Sequence, residues 1–153
     1  MASGISRTLG DLPVEIAAVL YGARRALLTT TAPDGSPRPV PVCFALRGNE
    51  IVSAVDHKPK SGASLARIND IRRTGRAVLL VDRWDEDWTR LAWLRIAARA
   101  RVDEPGSATA ALVSRYPQYA NAAPVGEVIA LAPERIVWWA WMDPGHGDSS
   151  HAG

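Results

Sequence analysis

The stretch TRLAWLRIAARARV (89–102) decides how this chain is read. Its alanines, leucines and arginines are good helix formers. From residue 93, however, the side chains alternate without a fault. Trp93, Arg95, Ala97, Arg99 and Arg101 fall on one side, and Leu94, Ile96, Ala98, Ala100 and Val102 on the other. Ten alternating residues specify a strand with one buried face. The chain is therefore predicted to be built on a sheet.

Upstream, ALLTTT (26–31) reads as a strand that ends at the turn Pro33-Asp34-Gly35, where glycine accepts the positive φ of a hairpin. RPVPVCFAL (38–46) resumes the extended pattern. Pro39 and Pro41 stand two apart, so both missing donors lie on one side, and an edge or a bulge is expected there. Arg47-Gly48-Asn49 makes a second turn into EIVSAV (50–55), and these three strands read as a meander. AVLLVD (77–82), EVIAL (127–131) and RIVWWAW (135–141) supply further strands. Helical spacing with start and stop residues predicts helices over 12–22 (Asp11 cap, Gly22 stop), 65–75 (Ser61 or Ser64 cap, Gly75 stop) and 107–115, stopped by Pro117. Strands outnumber helices and do not alternate with them, which gives an antiparallel α+β class, mainly β. The domain is expected over 11–142, between a flexible stretch 1–10 and a disordered tail 143–153.

Composition narrows the function classes. At 153 residues the chain makes one domain, and 47% apolar with 22% charged residues suffices for a core. No apolar run reaches the ~18 residues of a membrane helix. MASGISRTLG (1–10) lacks the apolar segment of a signal peptide, so a cytoplasmic location without membrane attachment is expected. Cys43 alone cannot form an internal disulfide, and no Cys/His spacing resembles a metal site. A net charge of +2 gives no nucleic-acid footprint. Of the 18 basic side chains, only Lys58 and Lys60 are lysines.

Those two lysines sit in the most chemical stretch. Lys58-Pro59-Lys60-Ser61, with Ser64 beyond, follows a strand and opens a helix, where free backbone N–H groups favour an anion. It reads either as a phosphate cradle or as a solvated basic loop. His57 beside it is a weak acid–base candidate. Trp138, Trp139 and Trp141 put aromatic surface on both faces of one strand, which suits a subunit interface, a ring-binding platform or a core with its rim. Trp88 ends the acidic run Asp85-Glu86-Asp87 and could stack on a planar ligand; the run itself reads as a solvated loop neutralised by Arg83 and Arg90. Cys43, among apolar neighbours, reads as an inert thiol. No triad, nucleophile elbow or glycine-rich nucleotide fingerprint is present. Phosphate-type and aromatic sites without a catalytic dyad suit a cofactor that brings its own chemistry.

ALLTTTAPDGSPRPVPVCFAL, IVSAVDHKPKS and RAVLLVDRWDEDWTRLAWLRIAARARV, in that order, resemble the pyridoxamine-5′-phosphate-oxidase-like split-barrel family, over roughly residues 10–141. The D-H-K-P-K and D-R-W-D-E-D-W motifs are similar to the branch that uses the deazaflavin coenzyme F420. The resemblance implies a six-stranded antiparallel split β-barrel with short flanking helices, assembled as a homodimer with cofactor sites between subunits. It implies that Lys58, Lys60 and Ser61 hold the cofactor phosphate. Ser53 and Pro41, Val42 and Cys43 would line the ring, and Trp88 and Arg90 would reach in from the other subunit. The implied activity is hydride transfer between F420 and a small conjugated or quinone-like substrate, with His57 or Arg90 as candidate proton donors. The alternatives are FMN in the same site, or a non-catalytic carrier of F420 or a tetrapyrrole.

Overall fold

A computed structural model describes residues 1–55 and 62–141, with side-chain surroundings defined outside 62–64. The strands are β1 (Ala2–Ser6), β2 (Ala26–Thr31), β3 (Pro37–Val42), β4 (Ala45–Arg47), β5 (Glu50–Ala54), β6 (Arg76–Arg83), β7 (Ala92–Asp103) and β8 (Val128–Ala140). The helices are α1 (Val14–Gly22), α2 (Gly62–Thr74) and α3 (Thr109–Arg115). No helix among the described residues is long and apolar enough to cross a membrane.

All eight strands join one antiparallel sheet, ordered β3-β2-β6-β7-β8-β5-β4, with β1 added to β8. β7 follows the alternation of its sequence: Leu94, Ile96 and Ala98 are buried while Arg95 and Arg99 face out. Ladder register carries that division across the sheet. Pro41 lies opposite Leu27, Leu27 opposite Leu80, Leu80 opposite Arg95, Arg95 opposite Val137 and Val137 opposite Ile5, so these six form one row on the outer face. On the inner face Leu28, Leu79, Val81, Leu94 and Ile96 pack with Ile16, Val19 and Leu20 of α1 and Ile68 and Ile71 of α2.

β3 and β4 stand at opposite ends of the strand order, yet only Cys43 and Phe44 separate them. Two residues span roughly 10 Å at most between the flanking Cα atoms. The sheet must curl until its ends nearly meet, which makes it a split barrel. The sequence RPVPVCFAL, expected to be one strand, is thus two, and the meander of three strands becomes two hairpins at opposite ends of the sheet. Pro37, Pro39 and Pro41 occupy the edge strand, and their parity directs all three missing donors to its free side. That edge offers carbonyls without matching N–H groups and cannot template another strand.

Other expectations change as well. The expected six strands become eight among the described residues. Residues 127–131 and 135–141 form one strand, because a bulge absorbs the break: Ala97 pairs with Arg135 and Ala98 with Pro133. The extra residue, Glu134, projects between Arg99 (3.1 Å) and Arg76 (3.6 Å). Residues 1–10, expected to be loose, contain β1, paired with β8 from Ala2–Ala140 to Ser6–Ile136, and a 3-10 turn at Leu9–Asp11. Gly4 permits that pairing, since a methyl group there would run into the Trp138 ring. The first helix starts at Val14, because Pro13 rather than Asp11 takes the capping position. The tail beyond Trp141 lies outside the described residues.

Candidate functional site

The site grows from the β3–β4 break. Phe44 is fully buried, and its backbone N–H donates to the Tyr116 hydroxyl (3.0 Å), which in turn donates to the Arg24 carbonyl (3.0 Å). Tyr116 follows α3 and Arg24 follows α1, so one phenol ties both helices to the break. Arg115 lies over the Phe44 ring, 4.6 Å from its centroid, and donates to the Leu20 and Ala23 carbonyls at the end of α1. α3 covers the outer face here, where Leu112 and Tyr116 bury Ala45, Val52, Val128 and Ala130 in a second, smaller core.

Cys43 sits at the rim of that core. Its carbonyl accepts from the Ser53 hydroxyl (2.7 Å), and its half-buried side chain lines a cavity of about 460 Å³ with Arg24, Tyr116, Pro117, Gln118 and Tyr119. Tyr116 and Tyr119 meet edge to face, 5.7 Å apart. β4 and β5 pair Ala45 with Val52. Two residues further along that antiparallel register, Cys43 falls beside Ala54, at the end of β5 from which residues 56–61 depart. Val55 still donates to the Glu127 carbonyl (2.9 Å), and a side chain at Gly126 would run into the Val55 carbonyl.

A second concavity, about 430 Å³, lies on the outer sheet face left uncovered by α3. Thr29, Val78, Leu80, Trp93 and Trp139 form its floor and Trp84 its wall. Arg95 reaches over the Trp93 ring at 5.9 Å. The adjoining loop is tied to itself: Arg83 donates to the Arg90 carbonyl (2.7 Å), Arg90 pairs with Asp85 (3.1 Å), and Asp87 accepts from the Thr89 hydroxyl (2.7 Å) and amide (3.1 Å). These Thr89 bonds hold the Asp87 carboxyl below its usual range, outweighing partial desolvation, with Arg90 helping. The loop leaves two indoles in the open, Trp84 at 75% and Trp88 at 59% exposure.

The sequence candidates therefore separate. Pro41 and Cys43 present side chains to ligand-sized spaces or to the outer face. Val42 points into the main core, and Ser53 is buried with its hydroxyl spent on Cys43, so both act on a ligand only through the backbone they position. Trp88 and Arg90 lie on the loop beside the Trp-lined groove, with Arg90 engaged by Asp85. His57, Lys58, Lys60 and Ser61 lie outside the described residues. Sequence reasoning missed Arg24, Tyr116, Gln118 and Tyr119; the run Arg115-Tyr116-Pro117-Gln118-Tyr119, dense in aromatic and polar groups, was the available signal. Among the described residues no group of three or more His, Cys, Asp or Glu side chains gathers to hold a metal ion.

No protein-family model and no curated protein matches the chain. Solved structures do. A conserved hypothetical protein from Mycobacterium tuberculosis is 21% identical, with a TM-score of 0.70 over 93% of this chain and 92% of its own. A candidate pyridoxamine 5′-phosphate oxidase from Listeria innocua is 21% identical, with a TM-score of 0.60 over 82% and 96%. An FAD-binding protein from Mesorhizobium loti is 15% identical, with a TM-score of 0.61 over 90% and 97%. Haem-binding chains share the architecture too. These likenesses establish the split-barrel fold of the pyridoxamine-5′-phosphate-oxidase type.

Proposed function

We propose that the chain is a homodimeric oxidoreductase that binds F420 at the subunit boundary and passes hydride to a small conjugated or quinone-like acceptor. The observation that carries this reading is the register at the end of β5. It sets Cys43 beside Ala54, two residues before Asp56 in the chain, which supports a shared site for the ring-lining residues of β3 and the lysine segment that follows β5. The donor set fits the cofactor. The β3 edge offers carbonyl acceptors to ring N–H groups, and Lys58 and Lys60 bring paired charges for a phosphodiester. When bound, the deazaflavin supplies the hydride, so the protein needs no nucleophile or dyad.

The chain's own residues bind, orient and shield. Ser53 fixes the Cys43 peptide against β5 and thereby holds the ring-contacting surface rigid. The exposed Trp84 and Trp88 and the apolar members of the outer-face row, Pro41, Leu27, Leu80, Val137 and Ile5, supply surface that a second copy would cover, excluding water from the ring. Arg90, tied to Asp85, serves as a fixed charge beside the groove. His57 or solvent delivers the proton.

Titrating the protein with F420 and with FMN, followed by cofactor fluorescence, tests the proposal. Micromolar F420 binding supports it, and micromolar FMN binding without F420 binding overturns it in favour of a flavin enzyme. Reduced F420 mixed with a panel of quinones then separates an enzyme from a carrier. Tight binding without reoxidation above background would identify a carrier.

A further inference from the structure

The cavity between Cys43 and the Tyr116–Tyr119 pair shares only Cys43 with the ring-binding surface just described. Its walls are two aromatic rings set at 70°, and its rim carries the Arg24 guanidinium and the Gln118 amide. Arg24 gives one N–H to the Arg115 carbonyl (3.0 Å) and, among the described residues, pairs with no carboxylate. Arg115, on the other side of Tyr116, hydrogen-bonds carbonyls only. Two guanidinium charges thus bracket one aromatic wall without an acidic partner among the described residues, and no carboxylate lines the cavity. Three other arginine clusters on this barrel are neutralised: Arg101 and Arg47 by Glu50 and Asp103, Arg76 and Arg99 by Glu134, Arg38 and Arg73 by Asp70. Positive charge left unpaired beside aromatic walls in a cavity of about 460 Å³ suits one ligand class.

We infer that this cavity is a subsite for a planar aromatic carboxylate, with the ring packed against the joined Tyr116–Tyr119 pair and the Cys43 side chain and the carboxylate on Arg24. Its assignment as the acceptor subsite rests on the proposed placement of the cofactor ring against Pro41 and Cys43. Binding of the anion itself does not. The substrate would then be a conjugated acid rather than a neutral quinone, selected by charge at the rim and by the aromatic wall.

Isothermal titration of the cofactor-free protein with 2-naphthoate and its neutral isostere 2-naphthamide reads the selection directly. Naphthoate is expected to bind about tenfold more tightly, the order of one charge-assisted contact at a partly exposed site. Arg24→Gln should bring the two affinities within twofold, while Arg24→Lys should retain most of the preference. A thermal melt confirms that both variants are folded. Equal affinity of the two probes for the unaltered protein, or an unchanged ratio in Arg24→Gln, would overturn the inference. So would loss of F420 affinity in Arg24→Gln matching the loss of naphthoate, because the cavity would then belong to the cofactor. Naphthoate selectivity in a protein that binds neither F420 nor FMN would support the subsite and overturn the redox reading instead.

Discussion

The Thr30 hydroxyl of β2 donates to the Asp70 carboxylate of α2 across 2.9 Å, and both residues are almost wholly buried. Arg38 of β3 (2.9 Å) and Arg73 one helical turn along α2 (3.2 Å) complete the cage. A single charge thereby fastens α2 to the edge of the curled sheet. Burial pushes the Asp70 carboxyl up, but the bonds from Thr30 and Arg73 and the Arg38 charge together outweigh it and hold the group below the usual carboxylate range.

Asp70→Asn should cost about 2–4 kcal/mol, because it leaves two arginines facing a neutral amide and disturbs a buried hydrogen bond. Chemical denaturation at pH 7 measures this. The folded-state value is depressed, so the contribution is present in full above the unfolded carboxylate value of ~3.9 and fades as pH falls through the folded value. The gap in stability between the native protein and Asp70→Asn should stay constant from pH 7 to 5 and narrow below pH 4. A gap that widens on acidification would contradict the cage.

Replacing Lys58 and Lys60 together by alanine should weaken F420 binding by about 2–4 kcal/mol, from two charge-assisted contacts partly replaced by water. Fluorescence titration of the double variant gives the number. Unchanged affinity would remove this segment from the cofactor site.

Gly126→Ala should harm the same site from a distance. Its methyl group would meet the Val55 carbonyl, on the residue immediately before Asp56, and could be accommodated only if β5 and the Gly126 loop move apart. Loss of stability by about 1–3 kcal/mol, as for overpacked sites, should accompany weaker cofactor binding. A melting curve and the titration report the two effects separately.

Leu80→Glu places a charge in the middle of the outer-face row while leaving the inner core untouched. Light scattering should show a dimer for the native protein and a monomer for the variant, with the far-ultraviolet spectrum preserved. A variant that remains dimeric would move the interface elsewhere.

How much of this was legible in the sequence depended on where each residue finds its partner. β7 was readable because its buried and exposed faces alternate within ten residues. The proline-marked edge was readable because Pro39 and Pro41 share a parity. β1 was not, since Ala-Ser-Gly-Ile-Ser carries no apolar alternation and is ordered by Ile136 to Ala140, more than a hundred residues away. Pro133-Glu134 looked like an end because a bulge has no local signature distinct from a turn. The two lysines stand out in the sequence by residue type alone. The apolar neighbours of Cys43 in sequence carry no sign of a cavity, because Tyr116 reaches Phe44 from 72 residues further along the chain, and that long-range hydrogen bond shapes it.

β8 pairs along one edge with β7 and shares its other edge between β1 and β5. All three partners precede it in the chain. A ribosome making this protein therefore delivers two unfinished sheets, β3-β2-β6-β7 and β4-β5, and the strand that joins them last. At synthesis rates of roughly 5–20 residues per second, the stretch from Asp103 to Val128 holds β7 with an unpaired edge for about one to five seconds. Through that interval Leu94, Ile96 and their neighbours have no finished core to enter. Until residue 140 is in place, that edge of β7 stays open to pairing with another chain.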